Sequence, residues 1–260
     1  MPVVLGAFFC VNPWPLALLT ILALTICQLE LNKLIKREWP VSVPLLVILY
    51  FGVTRLPGQQ TLPFQVLSAL MGVGGLLIGC LAARASSRGS KSTLAEVLAP
   101  LWFVAPIWSI FQLHALVSGS HLWNFANPML LAVVPLWGGD TAAIFVGKAF
   151  GKHPLAPAIS PKKTIEGSIG NLLACLLVAV PLGIWIGYPW WVGALCGGIA
   201  GVFGQMGDLF ESFIKRQAGV KDSGSILPGH GGLLDRIDSV LFTAPLVLSI
   251  LLFVSPDHIR

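Results

Sequence analysis

Charge is scarce in this sequence: Asp, Glu, Lys and Arg make up 10% of its 260 residues, while 55% are hydrophobic and the mean hydropathy is +0.84. Soluble domains carry roughly 25% charged residues, so a water-soluble globule is excluded. Cysteine is sparse as well. Cys10, Cys27, Cys80, Cys175 and Cys196 stand singly in apolar stretches, without a CxxC pair, which excludes a disulfide framework and a zinc site of the usual spacing. Short catalytic signatures are also missing: GxxxxGK[ST], GxSxG and HExxH do not occur, and no GxGxxG follows a strand.

What the chain has in abundance is apolar runs long enough to cross a bilayer core of roughly 30 Å. They fall near 14–31, 41–54, 64–83, 95–117, 127–149, 168–187, 190–212 and 239–255. A further apolar stretch, Pro2–Val11, is too short to span alone and is cut off by Asn12-Pro13-Trp14-Pro15; no positive region precedes it as in a secretory signal. The sequence therefore predicts an all-α, polytopic membrane helical bundle of eight transmembrane helices, or nine with the first segment, forming one domain over residues 1–260. Gly72–Gly75 and Gly197–Gly204 read as sites of close helix packing.

The net charge of +5 does not point to nucleic acid, because the basic residues sit in short loops between spans. Loops 32–40, 84–93, 148–167 and 213–238 hold 14 of the 16 Lys and Arg; only Arg55 and Arg260 lie on the other side. Those four loops are expected to face the cytoplasm.

Ionisable residues inside apolar spans cost roughly 2.5–3.5 kcal/mol each at a helix centre on the insertion scale, so their positions are informative. Asp208 and Glu211 are three apart at the end of one span, with Lys215 continuing the face, and Asp235 and Asp238 are three apart at the start of the last. Favourable placement at a helix N-terminus explains one such pair. Two pairs flanking one basic loop are stabilised most simply by a hard cation on oxygen ligands, its remaining sites filled by phosphates, as Mg²⁺ prefers.

The loop between them supplies Lys215, Arg216, Lys221 and Arg236 and the run Leu227-Pro-Gly-His-Gly-Gly-Leu233, whose glycines leave backbone N–H groups open to an anion. A second segment repeats the pattern. It runs from Trp137 through Asp140 and Lys148 to Ser160-Pro-Lys-Lys-Thr-Ile-Glu-Gly167, where Lys162, Lys163 and Thr164 offer point charges and a hydroxyl for phosphate. Asp140, inside the membrane, is either a functional carboxylate or the structural partner of a lysine.

The stretch SFIKRQAGVKDSGSILPGHGGLLDRID, Ser212 to Asp238, resembles the signature of CDP-diacylglycerol synthases, also called phosphatidate cytidylyltransferases. Ser212, Lys215, Arg216, Lys221, Asp222, His230, Gly231, Gly232, Asp235, Arg236 and Asp238 fall at its fixed positions. Asp140 through Gly167, with FGKH and SPKKT, is similar to a second block of that family, although Ile144 stands where an aromatic is expected. The resemblance covers residues 131–260, the expected catalytic portion; the first 130 residues match in hydropathy only.

By that resemblance the reaction is CTP + phosphatidate → CDP-diacylglycerol + pyrophosphate, with Mg²⁺ as cofactor and a second cation such as K⁺ nearby. It also implies a homodimer in the bacterial inner membrane, its active site open to the cytoplasm, with CTP, phosphatidate and the bilayer as partners and no nucleic acid. Asp208, Asp235 and Asp238 are then expected to hold the metal. Lys215 and Arg236 join them as catalytic residues. Arg216, Lys221, Lys148, Lys162, Lys163, Thr164, Ser212, His230, Gly231 and Gly232 are expected at the substrates, and Asp140 and Asp222 contact nucleotide or orient the lysines. Competing readings are a CTP-using transferase or kinase acting on another lipid, and a cation-coupled transporter, whose charges belong near the bilayer midplane.

Overall fold

The computed structural model describes residue 10 and residues 13–35, 62–87, 101–116, 125–224 and 231–254. Four apolar stretches among them become helices long and apolar enough to cross a membrane: α4 (Leu130–Phe150), α5 (Ile165–Ile186), α6 (Trp190–Gln217) and α7 (Leu234–Val254). Preceding them are α1 (Pro13–Ile35), α2 (Leu62–Ser87) and α3 (Leu101–Ala115). At 1.5 Å per residue a 21-residue helix such as α4 or α7 measures about 32 Å, close to a bilayer core. The 28-residue α6 measures about 42 Å and must project beyond it. Leu173, Leu177, Phe145 and Trp185 are exposed on these helices, as an integral membrane protein with lipid around it requires. The expected span at 41–54 lies outside the described residues.

The all-α membrane bundle expected from the sequence is the architecture found, with one small addition. Between α4 and α5 the chain forms a small antiparallel hairpin, β1 (Pro154–Ala156) and β2 (Ser160–Thr164), with Pro154 opposite Thr164 and Ala156 opposite Ser160. Its strands carry prolines and lysines and have no apolar alternation, so the usual strand signal is absent. The hairpin runs straight into α5, where Thr164 is the N-cap and its hydroxyl accepts from Gly167 N at 3.1 Å.

α4 packs along α5, α5 along α6, and α6 along α7; α7 also touches α2, α3 and α4 and stands at the centre. Small residues let the backbones approach. A Cβ on Gly197 would lie 2.9 Å from Cys175 O, and one on Gly207 would press on Asp238 O and Phe242. α5 ends where Gly187, at φ 107°, turns the chain in the left-handed region and returns its N–H to Gly183 O. Two apolar clusters result. One joins α3, α4, α5, α6 and α7 around Leu131, Cys196 and Leu248; the other joins α1, α2, α3, α6 and α7 around Leu31, Phe103, Ile214 and Leu241.

Candidate active site

The connectivity brings the C-terminal ends of α4 and α6, the hairpin, and the N-terminal ends of α5 and α7 to one end of the bundle. A cavity of about 490 Å³ opens there. Asp140, Ile144 and Lys148 line it from α4; Lys162, Lys163 and Thr164 from the hairpin; Ser168 and Asn171 from α5; Gln205 and Asp208 from α6; Ser239 from α7. The segment from Asp140 to Gly167 thus lines one space with Asp208 of α6, while the loop after α6 contributes no described residue to its lining.

Lys163 forms an ion pair with Asp208, and Asp140 lies within electrostatic reach of both. Asp140 is therefore not simply the private partner of one lysine. Its Oδ1 accepts from Asn171 Nδ2 at 3.3 Å, and Asn171 Oδ1 in turn accepts from Gln205 Nε2 at 3.3 Å. Ser212 Oγ donates to Asp208 Oδ1 at 3.4 Å. The hairpin is held in place by Glu166, whose Oε2 accepts from Lys152 N and His153 N and whose Oε1 meets His153 Nδ1 at 2.7 Å.

Beside the cavity lies a second, buried constellation. Lys215 Nζ donates to Glu211 Oε2 at 3.2 Å and to Asp235 Oδ1 at 2.6 Å, joining α6 to α7. Asp235 also accepts from Ser223 N at 3.1 Å and Gly232 N at 2.8 Å, so it closes its own loop onto the helix start. Gly231 occupies the left-handed region at φ 81°, where a side chain would be strained and would press on Asp235 Oδ2. Asp238 is buried, accepts from Ser239 N at 2.6 Å and lies within electrostatic reach of Asp208 and Glu211.

Other expected residues fall elsewhere. Arg216 donates to Ile159 O at 3.3 Å and Val220 O at 3.1 Å, tying the end of α6 to the hairpin. Lys221, Asp222 and Arg236 are exposed at the same end of the bundle, outside the cavity lining. His230 lies outside the described residues. Asn171 and Gln205 were not anticipated; each is an amide interrupting an apolar helix, and that was its available signal.

Oxygen donors of the kind a hard cation takes are present: Asp208 lies within electrostatic reach of Asp140 and Asp238, and Glu211 of Asp235 and Asp238, with Lys163 and Lys215 set between them, and Glu211 Oε1 is buried without a hydrogen-bond partner among the described residues. Among the described residues no three His, Cys, Asp or Glu side chains converge as a ready cage; the two lysines stand between the acids.

The arrangement defines a membrane helical bundle with a cavity lined by lysines and aspartates toward one end. The chain belongs to the cytidylyltransferase family, whose model matches residues 1–254. It is similar to the phosphatidate cytidylyltransferase of Synechocystis sp., 46% identical over 145 residues, 54% of this chain and 49% of that protein. Those of Staphylococcus aureus (51% over 129 residues, 49% of each chain) and Staphylococcus haemolyticus (50% over 126 residues, 48% of each) are also similar. The chain spans about half the length of the curated relatives it matches.

Proposed function

We propose that this protein transfers the cytidylyl group of CTP to phosphatidate, giving CDP-diacylglycerol and pyrophosphate. The observation that carries this reading is the cavity in which the lysine hairpin and the acidic end of α6 face each other. Its volume is in the range of small-molecule sites. The names of the similar proteins support the same reaction.

In this reaction a phosphate oxygen of the lipid attacks the α-phosphorus of CTP, and the bond to the β-phosphate bridging oxygen breaks. The lipid phosphate is already ionised at neutral pH, so no general base is required. The protein's work is to bring two polyanions together. Lys148, Lys162 and Lys163 neutralise phosphate charge from α4 and the hairpin, while Thr164 and Ser168 bring hydroxyl-bearing side chains to the same lining. Asp208, Asp238 and Asp235 are the residues that would hold Mg²⁺, with a second cation such as K⁺ beside it. The bound metal supplies charge neutralisation at the triphosphate. Lys215 keeps Glu211 and Asp235 at a fixed separation. The wider arrangement is a homodimer of eight- or nine-span subunits in the bacterial inner membrane, with the cavity facing the cytoplasm.

The test incubates purified protein with labelled CTP, Mg²⁺ and a panel of phosphatidate, polyprenyl phosphate and ether-lipid phosphate. An organic-soluble CDP-lipid from phosphatidate with equimolar pyrophosphate is expected. Preference for another lipid phosphate, or release of CDP with a phosphorylated lipid, contradicts the assignment.

A further inference from the structure

Glu30 lies in α1, in the half of the chain where no motif is legible, yet its carboxylate is completely buried at the start of α7. Oε1 accepts from Leu233 N at 2.9 Å; Oε2 accepts from Leu234 N at 2.9 Å and from Ser223 Oγ at 3.3 Å. Leu233 and Leu234 carry N–H groups that the helix itself leaves unpaired. A carboxylate at that end also meets the positive pole of the helix dipole. Ser223 is itself buried, and a Cβ on Gly224 or Gly232 would collide with Glu30. The loop is thus shaped around this one side chain from both of its ends.

What Glu30 fixes is the ground on which the acids stand. Ser223 N and Gly232 N both donate to Asp235, and Asp238 lies one turn further along α7. Around the contact, Leu31 and Leu34 of α1 pack in the same apolar cluster as Ile214 of α6 and Leu234 of α7.

We infer that Glu30 is a positioning residue: it caps α7 from α1 and ties Ser223 and Gly224 to Gly232, Leu233 and Leu234, so that Asp235, Asp238 and Lys215 keep the spacing that metal and phosphate need. This rests on the proposed transferase reading for its kinetic consequence, but not for its structural one. The position of Glu30 also explains why the N-terminal helices belong to the catalytic unit.

The experiment compares wild type with Glu30→Gln, Glu30→Asp, Glu30→Ala and, as a milder change that keeps the carboxylate, Ser223→Ala. In nanodiscs, amide hydrogen exchange over residues 223–237 should accelerate at least about tenfold in E30Q and E30A, while residues 160–168 of the hairpin stay protected as in wild type. Turnover in the same preparations should fall about 10- to 100-fold, as for groups that orient metal ligands, with the Mg²⁺ concentration for half-maximal rate raised. E30D should recover part of both, and S223A should show a smaller shift in the same direction. Unchanged exchange over 223–237 in E30Q and S223A overturns the clamp whatever the activity. Slower turnover with an unchanged Mg²⁺ requirement, alongside a lowered melting temperature, would make Glu30 merely structural and also overturns it. If wild type forms no CDP-lipid, the transferase reading fails, and the exchange arm alone decides the clamp.

Discussion

Asp208 and Asp235, which the sequence presents as equivalent, are held in different ways. Asp208 is partly exposed to the cavity and paired with Lys163, a cation from another element. Asp235 is enclosed by Lys215, Ser223 N and Gly232 N. Asp208 is thus the more accessible of the two to an incoming metal–triphosphate, and Asp208→Asn is expected to lower Mg²⁺-dependent turnover at least about a hundredfold while size-exclusion behaviour stays normal. Near-normal turnover of a well-folded D208N would remove it from the site. Lys163→Ala should raise the apparent KM for CTP about tenfold, the scale of one charged hydrogen bond to phosphate; steady-state kinetics at fixed lipid would show it. These positions were legible as charges that an apolar span would otherwise avoid. Their pairing was not: spacing places Asp208, Glu211 and Lys215 on one face, but which of them turns to the hairpin depends on helices distant in sequence. Glu30 was the harder case, since a lone acid near a helix end has no pattern to mark it.

The elements show where sequence patterning succeeds and where it stops. Apolar runs marked α4 to α7 to within a few residues, because a bilayer demands both length and hydrophobicity. The hairpin escaped, because two short strands with proline and lysine have no period to read. Its junction with α5 makes a prediction. Thr164→Ala removes the N-cap acceptor and should cost about 1 kcal/mol, read as a fall of about 2–4 °C in the thermal midpoint, with a raised KM for CTP as the hairpin loosens. Thr164→Ser should restore most of both. Helix contact makes another. Gly207 faces Asp238 O and Phe242 across the α6–α7 seam, and Gly207→Ala should destabilise by about 1–3 kcal/mol through overpacking; an unchanged midpoint in detergent would show that the seam has slack. The glycines of 197–204 were read as packing residues, and Gly197, Gly201 and Gly204 do meet neighbouring helices, although Gly198 faces open space.

Among the described residues, most of the charged site groups gather toward one end of the bundle, with Asp140 reaching the middle of α4, while leucines and tryptophans cover the flanks. The transporter reading places its charges near the midplane on broken helices; here α4 is unbroken through Asp140 and the lysines stand at the helix ends and on the hairpin. On the positive-inside rule the charged end is proposed to face the cytoplasm. A chain in which the five native cysteines are replaced and Lys221, exposed after α6, is changed to Cys tests this directly. A membrane-impermeant maleimide should label it in inverted vesicles and not in intact cells; labelling from outside would reverse the topology. Hydropathy located the four long apolar helices among the described residues without any motif. The docking of α1 onto the signature loop needed three-dimensional packing, because nothing local links residue 30 to residue 234.

The central claim is that the acidic end becomes habitable because a divalent cation and a triphosphate complete it together. Electron paramagnetic resonance with Mn²⁺ in place of Mg²⁺ measures this most directly, titrating the metal into nanodisc-held protein with and without CTP. The account predicts one tightly held Mn²⁺ per chain that requires CTP and is lost in D208N. Equal Mn²⁺ binding by D208N, or CTP binding that ignores the metal, would contradict it.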